Sequence, residues 1–302
     1  MEKAKFIAEL VLGTAQLAMP YGTLAPEAAP DIEQSFDILD CAWSVGITAL
    51  DTAAAYGEAE GRIGAWSRAR GVKPRIIGKV PAFSKTEMHP FDFVEAQIRG
   101  TCERVGQACI AAMLLHRAVD VERYEAVDAM SNAAQRGTIG KWGVSIYTAA
   151  EFEKAMGVPG LTAIEAPISI VDRRLERLGL LAEAARRGIE VFARSVFHQG
   201  VLLRPPESIP ATIPGLRDVC VEFHRRAASL DMAPGALAIA AVRRVPGLSK
   251  VVIGAATSSQ VESIAKWSAE AEELISLSNL EDLGAVLDDR ALDPRNWKFY
   301  LS

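Results

Sequence analysis

Four side chains that can carry protons follow short apolar runs in the first part of the chain. Asp51 ends the run TALD, and Tyr56 follows it five residues later, after three alanines. Lys79 lies near the end of RIIGKV, and His116 ends AAMLLH. An acid, a phenol, an amine and an imidazole are typical of general acid–base catalysis. Whether they act together depends on the fold that positions them.

The chemistry of these four groups is complementary. A phenol with a pKa near ~10 is a weak acid at neutral pH unless a nearby cation favours its anion. A buried Lys79 would supply that cation, and a paired Asp51 carboxylate would keep it charged. His116 could then orient a carbonyl oxygen or share its proton. Each residue alone fits a surface charge, a cap or an edge residue, but the set of four predicts one proton-handling site.

Short apolar runs alternate with longer amphipathic segments along the chain. We predict eight strands, at 10–14, 48–51, 75–80, 111–116, 141–145, 163–167, 190–195 and 250–255. We predict helices at 31–45, 60–70, 90–106, 121–136, 148–157, 173–187, 216–230, 234–245, 258–268 and near 270–285. Strict alternation implies a parallel sheet, because each crossover carries the chain back past the sheet. Eight strands favour a closed (β/α)8 TIM barrel.

An open, doubly wound sheet is the alternative fold, and a missing motif disfavours it. No predicted strand is followed by GxGxxG, and GTIGKW at 137–142 lacks the features of a phosphate-binding loop. The proline-rich stretch 202–216 indicates a long loop after the seventh strand rather than a linker between domains. We therefore expect residues 1–302 to form a single barrel domain, with its chemistry at the carboxyl ends of the strands.

Charge and composition limit the partners. A net charge of −5 disfavours nucleic acid and anionic membrane surfaces. No run approaches the ~18 apolar residues of a spanning helix, and Glu9 and Gln16 interrupt any signal segment. The four cysteines form no CxxC pair, so we expect reduced thiols in a cytoplasmic protein. His116 has no HxH or paired-acid cluster beside it, so we expect no metal. The oligomeric state is not predicted.

The motifs LDTAAAYGEAE, IIGKV, LLHR and GKWGVSIY occur in this order. With this spacing the chain resembles the aldo-keto reductase superfamily, from LGTAQ near its start to PGALAIAAVRRVPGLSKVVIGAATSSQVE near its end. The resemblance implies a (β/α)8 barrel that reversibly reduces a small aldehyde or ketone with NAD(P)H. It also implies a catalytic tetrad: Tyr56 protonates the carbonyl oxygen, Lys79 paired with Asp51 eases that proton loss, and His116 orients the carbonyl.

The resemblance further implies a set of cofactor-binding residues. These are Gly13, Thr14, Asp51, Ser145, Glu165, Arg194, Ser195, Gly254, Thr257 and Gln260. Ser145 and Glu165 correspond to positions near the nicotinamide carboxamide. Arg194 takes the place of an aromatic residue that often stacks on the nicotinamide, and a planar guanidinium can also stack on a ring.

Several of these positions differ from the family pattern. Ile146 replaces an asparagine, Glu165 a glutamine and Ile264 a late asparagine, so some hydrogen bonds to the cofactor should be missing. Gly254 and Ala256 stand where a lysine or arginine commonly holds the adenosine 2′-phosphate. The resemblance favours NADP(H) as cofactor, and NAD(H) stays open.

Two other functions stay open. One is a nicotinamide-binding sensor or regulatory barrel with little turnover, suggested by the changes at Ile146, Glu165 and Arg194. The other is a lyase or epimerase that uses Tyr56 and Lys79 for proton transfer.

Three segments are possible walls of the site. The loop 200–216 would lie across the cofactor, since it follows the seventh strand. Met19–Tyr21 could line the substrate pocket, with core or loop packing as the main alternative. The aromatic tail 293–301, with Trp297, Phe299 and Tyr300, could line it too, although plain packing of a terminal segment is the favoured interpretation there.

Overall fold

Eight parallel strands close into a barrel in chain order in the computed structural model, which describes residues 8–20, 28–84, 89–273, 283 and 287–297. The strands are β1 Glu9–Gly13, β2 Ala49–Asp51, β3 Arg75–Val80, β4 Ala112–Leu115, β5 Trp142–Ser145, β6 Ala163–Pro167, β7 Glu190–Arg194 and β8 Leu248–Gly254. Strand β1 pairs with both β2 and β8, which closes the sheet. The predicted (β/α)8 barrel is therefore confirmed, and every predicted strand lies within two residues of the observed limits.

Helices cover the outside of the barrel. They are α1 Ile32–Ser44, α2 Ala59–Arg70, α3 Pro90–Val105, α4 Tyr124–Gln135, α5 Ala149–Met156, α6 Arg174–Arg177, α7 Leu180–Arg186, α8 Leu216–Ser229, α9 Pro234–Arg243, α10 Ser258–Glu273 and α11 Asp289–Leu292. Short 3-10 turns occur at Ala15–Leu17, Ala118–Glu122, Val201–Leu203, Pro206–Ser208 and Pro294–Asn296. No helix in these parts of the chain has the length and apolar character needed to cross a membrane.

Two predicted helices differ from the observed ones. The single helix predicted at 173–187 is divided into α6 and α7, because Gly179 adopts a left-handed conformation with φ of 71°. The helix predicted at 258–268 continues to Glu273 as α10. The helix expected near 270–285 therefore overlaps the end of α10, and most of its remainder lies outside the described residues.

Local capping explains where some of the helices begin. Asp31 and Gln34 form a reciprocal capping box at the start of α1, and Thr148 and Glu151 form one at the start of α5. Each box satisfies backbone N–H groups that the first turn leaves without partners. The second box matters for the site, because α5 begins directly after the carboxyl end of β5.

Two apolar layers hold the barrel together. A small interior cluster draws side chains from seven strands: Val11, Ala49, Ile77, Ala112, Leu114, Ala163, Phe192 and Val252. A larger layer lies between the strands and the surrounding helices. Side chains alternate between these layers because successive residues of a strand point to opposite faces.

Ion pairs connect the strands at the amino-terminal end of the barrel. Glu9 pairs with Arg75 and faces Lys250 at 3.4 Å. Lys250 also lies 4.0 Å from Glu190, which pairs with Lys141. We call these five residues the basal charge chain. It lies at the end opposite to Asp51 and the other strand-end polar residues.

The contact between α2 and α3 yields a test with an internal control. A Cβ atom at Gly64 would lie 2.0 Å from the backbone oxygen of Arg104 in α3, whereas one at Gly61 would meet nothing within 4 Å. We expect Gly64→Ala to lower the free energy of unfolding by roughly 1–3 kcal/mol through overpacking. Gly61→Ala should raise it by about 0.5–1 kcal/mol through helix propensity. Urea unfolding of both variants checks this, and equal effects would contradict the close helix contact.

Candidate active site

Lys79 is buried between two carboxylates at the carboxyl end of the barrel. Its Nζ lies 2.5 Å from each carboxylate oxygen of Asp51, the last residue of β2. It also lies 3.3 Å from Oε2 of Glu165 in β6. The side chains of Lys79 and Glu165 are each 1 % exposed. A charge removed from water to this extent needs direct partners, and Asp51 and Glu165 provide them.

Tyr56 lies above this buried charge. Its ring centroid is 5.7 Å from Lys79 Nζ and 5.9 Å from the His116 ring, which it meets at 81°. A turn holds Tyr56 there, since its backbone N–H donates to the Ala53 oxygen at 2.9 Å. The backbone N–H of Ala54 donates to the Lys79 oxygen at 3.4 Å, which ties the same loop to β3. The four residues of the predicted proton-handling set are therefore brought together.

Glu165 also contacts Ser145 and Arg194, in addition to Lys79. Its Oε1 accepts a hydrogen bond from Ser145 Oγ at 3.1 Å and lies 3.5 Å from Arg194 Nε. Its Oε2 has no hydrogen-bond donor among the described residues, because the contact to Lys79 lacks hydrogen-bond geometry. Asp51, Lys79, Glu165 and Arg194 thus form a row of alternating charge, which we call the charge row.

The charge row shifts the pKa values of its members. Burial favours the neutral amine of Lys79, but Asp51 and Glu165 outweigh it and raise the pKa of Lys79 above its usual range. Burial also favours the neutral acid of Glu165, but Lys79 and Arg194 lower the pKa of that carboxyl. Burial and the negative charge of Glu165 raise the pKa of Asp51. Glu165 therefore keeps a charge beside Lys79 even when Asp51 takes up a proton.

His116 is neutral at physiological pH. Burial, together with the positive charges of Lys79 and Arg194, lowers its pKa to about 4. A neutral imidazole can donate one hydrogen bond and accept another, so His116 can bind an uncharged polar group beside Tyr56.

A cavity of about 370 Å³ opens beside the charge row. Its wall extends from Asp51, Tyr56 and Glu165 at the strand ends to Gln260 and Trp267 in α10. Lys79 lies beneath this wall and is not part of it. The cavity is therefore large enough for more than a small substrate, and of the four proton-handling residues Asp51 and Tyr56 line it, whereas Lys79 and His116 lie behind its wall.

Most of the residues predicted to bind a cofactor line this cavity. Besides Asp51 and Glu165, the wall contains Gly13, Thr14, Arg194, Ser195, Gly254 and Gln260. Ser145 is absent from the wall and lies behind Glu165, to which it donates a hydrogen bond.

Thr257 is not brought to the cavity wall. Its hydroxyl accepts from the backbone N–H of Gln260 at 3.2 Å. The Gln260 side chain in turn accepts from the backbone N–H of Ala256 at 2.7 Å. Thr257 therefore caps the first turn of α10, whereas Gln260 holds the backbone that precedes the helix and also lines the cavity.

Arg194 is oriented by residues that follow β5. Its guanidinium carbon lies 4.2 Å from the centroid of the Tyr147 ring, and Nη2 donates to the backbone oxygen of Ile146 at 2.9 Å. Ile146 lacks a polar side chain, but its backbone carbonyl takes part in the site. The sequence alone did not indicate the contact with Tyr147.

Other wall residues were also missed. Gln16 lies so close to Gly254 that a Cβ atom there would be 2.5 Å from Gln16 Oε1, and Gln16 itself lines the cavity. The loop after β7 contributes further wall residues, including Phe197 and Arg204. Gln16 stands in the GTAQ motif, which was a usable signal.

The loop after β7 has an unusual backbone. Ser195, His198 and Gln199 have φ values of 61°, 48° and 59°, in the left-handed region that disfavours residues other than glycine. Because no glycine marks these three positions, sequence patterns could not predict this shape. His198 is buried and meets the Trp297 ring at 5.2 Å, which holds the loop against the C-terminal segment.

The possible pocket walls from both ends of the chain are only partly described. Trp297 is buried, and its Nε1 donates to the backbone oxygen of Ala291 at 2.8 Å, so it packs the C-terminal segment. Tyr21, Phe299 and Tyr300 lie outside the described residues. Among the residues that are described, no group of three or more His, Cys, Asp or Glu side chains could hold a metal ion.

The structure is thus a closed parallel barrel that carries a buried lysine, a neighbouring phenol and an imidazole at its carboxyl end, beside a cavity of about 370 Å³. The sequence model of the aldo/keto reductase family matches residues 9–274. The chain therefore belongs to the aldo/keto reductase family.

Individual relatives are more distant. The chain is 28% identical to aldo-keto reductase str7 of Strobilurus tenacellus over 178 residues, which is 56% of this chain and 52% of that protein. It is 34% identical to D-arabinose 1-dehydrogenase of Saccharomyces cerevisiae over 153 residues, or 47% and 43% of the two chains. The chain thus spans about half the length of these curated relatives. The holo form of an aldo-keto reductase from Bacillus halodurans shares the fold, with a TM-score of 0.73 and 22% identity over 95% of this chain and 96% of that one.

The low pKa of His116 predicts how stability depends on pH. Its pKa is about 4 in the folded protein against an ordinary value of 6.5, so the unfolded chain binds the proton more readily. The free energy of unfolding should therefore fall as the pH decreases from 6.5 towards 4. In His116→Gln, the loss between pH 7 and pH 4.5 should be smaller by about 2 kcal/mol. Urea unfolding at both pH values measures this, and equal losses in variant and parent would disprove the buried neutral imidazole.

Proposed function

We propose that the chain is an NAD(P)H-dependent reductase of small aldehydes or ketones, which can also oxidise the corresponding alcohols. The observation that carries this proposal is the burial of Lys79 between Asp51 and Glu165, directly beneath the Tyr56 ring at one end of the cavity. The family and the names of the two curated relatives, a reductase and a dehydrogenase, support an oxidoreductase.

Each member of the tetrad has a distinct part in this reaction. A reduced nicotinamide, when bound, supplies the hydride that adds to the carbonyl carbon. The Tyr56 hydroxyl gives its proton to the carbonyl oxygen, and the ammonium of Lys79 stabilises the phenolate that remains. The neutral imidazole of His116 donates a hydrogen bond that orients the carbonyl. In the oxidising direction, the Tyr56 phenolate accepts the proton of the alcohol.

The carboxylates have a supporting part. Asp51 and Glu165 keep Lys79 protonated inside the barrel, so its charge is present before the substrate arrives. A charge that is already in place costs no reorganisation during the reaction. Glu165 and Asp51 also keep the site nearly neutral overall, which limits the cost of burying Lys79 and Arg194.

The chemistry of the wall fits a nicotinamide cofactor. Glu165 Oε2 is a buried acceptor without a hydrogen-bond donor among the described residues, and it can accept from a carboxamide NH2. Arg204 places a guanidinium group on the wall, which suits the negative pyrophosphate, and the planar guanidinium of Arg194, beside Glu165, suits the nicotinamide ring. The same wall includes Gly13 and Gly254, where the absence of side chains exposes the backbone.

We also propose that residues 1–302 act as one barrel domain. The C-terminal segment supports this, because Arg174 at the start of α6 pairs with Asp289 at 3.0 Å and so links α11 to the barrel. The substrate is proposed to be a small carbonyl compound.

Tyr56→Phe tests the proton donor. Removing the hydroxyl should lower turnover of aldehydes by roughly 10²–10⁴-fold, the usual worth of a general acid. Binding of NADPH or NADH should change by less than about twofold, because the Tyr56 ring is retained. Loss of nicotinamide absorbance measures turnover, and fluorescence titration measures binding.

The matched control is Tyr124→Phe, since Tyr124 is an exposed tyrosine on α4, with 77% of its surface accessible. This variant should keep full activity. Undiminished turnover in Tyr56→Phe would overturn the assigned role of Tyr56. Tight cofactor binding by the parent protein with no turnover across a broad set of carbonyls would instead favour the sensor.

The wall supplied by α10 bears on the choice between NADPH and NADH. Its residues there are Gln260, Ser263, Ile264 and Trp267, all of them uncharged. A charged hydrogen bond to the 2′-phosphate, worth about 1.5–3 kcal/mol, has no source in this part of the wall. The two cofactors should therefore bind with affinities within about tenfold of each other, as measured by parallel titrations.

Ser263→Arg provides the complementary variant. The added cation on this wall should strengthen binding of NADPH by about tenfold and leave NADH nearly unchanged. A preference for NADPH above about 100-fold in the parent protein would show that another part of the chain binds the 2′-phosphate.

A further inference from the structure

The Tyr147 ring lies between two guanidinium groups. The guanidinium carbon of Arg194 is 4.2 Å from the ring centroid, and that of Arg295 is 3.7 Å from it. Two guanidinium groups at such distances would clash and repel each other on a single face, so opposite faces of the ring are the arrangement that these distances favour. We call this arrangement the Arg–Tyr–Arg stack. Arginine is well suited to it, because its guanidinium is flat and weakly hydrated.

The backbone of Tyr147, whose ring lies at the centre of the Arg–Tyr–Arg stack, is held in place by α5. Tyr147 directly precedes Thr148, the N-cap of α5, and its own backbone N–H donates to Glu151 Oε2 at 2.7 Å. The capping box of α5 therefore sets the position of Tyr147 as well as the start of the helix. The ring is thus held at the carboxyl end of β5, beside the cavity.

The outer guanidinium also has a fixed position. Asp293 binds the Arg295 side chain through both carboxylate oxygens, at 2.6–3.0 Å, and accepts from the Arg295 backbone N–H at 3.0 Å. The segment that carries them is anchored by Trp297, which is 1 % exposed, and by the pair of Asp289 with Arg174. Arg295 therefore has its charge balanced by Asp293, and its guanidinium carbon lies 3.7 Å from the centre of the ring.

Arg194, the arginine of the stack that lines the cavity, is also a member of the charge row. Arg194 contacts Glu165 at 3.5 Å, donates to the Ile146 oxygen at 2.9 Å and lines the cavity. Its position decides whether Glu165 has a second cation besides Lys79. Tyr147 covers one face of the guanidinium, which restricts the rotation of a long side chain that would otherwise be mobile.

We propose that Tyr147 and Arg295 are positioning residues for the cofactor site, which act by holding Arg194 beside Glu165 and against the cavity wall. This inference rests on the proposed function. It gives the segment 287–297, which lies beyond the family match at residues 9–274, a part in cofactor binding. The stack passes from that segment through the end of β5 to the end of β7, so the site is complete only when the segment is docked.

The experiment compares NADH binding by the 302-residue chain and four variants, using fluorescence titration. Tyr147→Leu removes the flat ring, and Arg295→Lys keeps the charge beside Asp293 but removes the flat guanidinium. Each should weaken NADH binding by about three- to tenfold, the range expected for a partly exposed cation–π contact. Tyr147→Phe keeps the ring and should bind within about twofold of the parent, which tests the ring itself.

Arg70→Lys is the matched control. Arg70 also pairs with an aspartate, Asp40, and lies over an aromatic ring, Phe36, at 5.9 Å from its centroid, but it is absent from the cavity wall. This variant should bind NADH as the parent does. Urea unfolding of all four variants shows whether each has kept its fold.

The outcomes separate the two proposals. Unchanged NADH binding in both Tyr147→Leu and Arg295→Lys would overturn the positioning role and leave the proposed function intact. The same loss in Arg70→Lys, or in Tyr147→Phe, would also overturn it, because the effect would not depend on the stack. Absence of NADH and NADPH binding in the parent protein would instead overturn the proposed function itself. In the expected result, the KM for NADH rises in the two disruptive variants with little change in kcat.

Discussion

A single ammonium group inside the barrel sets the main constraint on this site. An isolated charge at that depth would be expensive, so Lys79 requires anionic partners on the neighbouring strands. Asp51 is opposite Ile77 in the β2–β3 register, two residues before Lys79, and Glu165 approaches from across the barrel in β6. The barrel geometry that places these strand ends around one axis is therefore a condition for keeping the lysine charged.

The carboxylate of Glu165 imposes a further electrostatic requirement on the residues around it. Once Glu165 faces Lys79, a further cation is favourable, and Arg194 provides it. Arg194 then depends on Tyr147 for its orientation, and Tyr147 is also covered by Arg295. A neutral residue in place of Glu165 would remove the electrostatic reason for this sequence of contacts. Glu165, which stands where the family resemblance implies a glutamine, lacks that residue's hydrogen-bond donor. Its added negative charge is instead accompanied by Arg194, which Tyr147 and Arg295 support.

Sequence patterns predicted the barrel and the meeting of four residues because both depend on local features. Apolar runs mark the strands, and Asp51, Lys79 and His116 stand at or near strand ends whatever the detailed packing. The directions of long side chains are set by distant contacts, so the stacking of Arg194 on Tyr147 was not predictable. The division of one helix at Gly179 was missed because a single glycine is also tolerated within helices. The capping role of Thr257 was hidden because capping and ligand binding use the same side-chain atoms.

The basal charge chain has a consequence for heat resistance. It links β1, β3, β7 and β8 with the residue before β5 through Glu9, Arg75, Lys250, Glu190 and Lys141. The hydration free energy of charged groups becomes less favourable as temperature rises, so the cost of desolvating an ion pair falls. A network of linked ion pairs therefore stabilises a protein more effectively at high temperature than an isolated pair does at room temperature. The amino-terminal end of the barrel thus gains support from these linked ion pairs at temperatures where the stabilisation from apolar burial no longer increases.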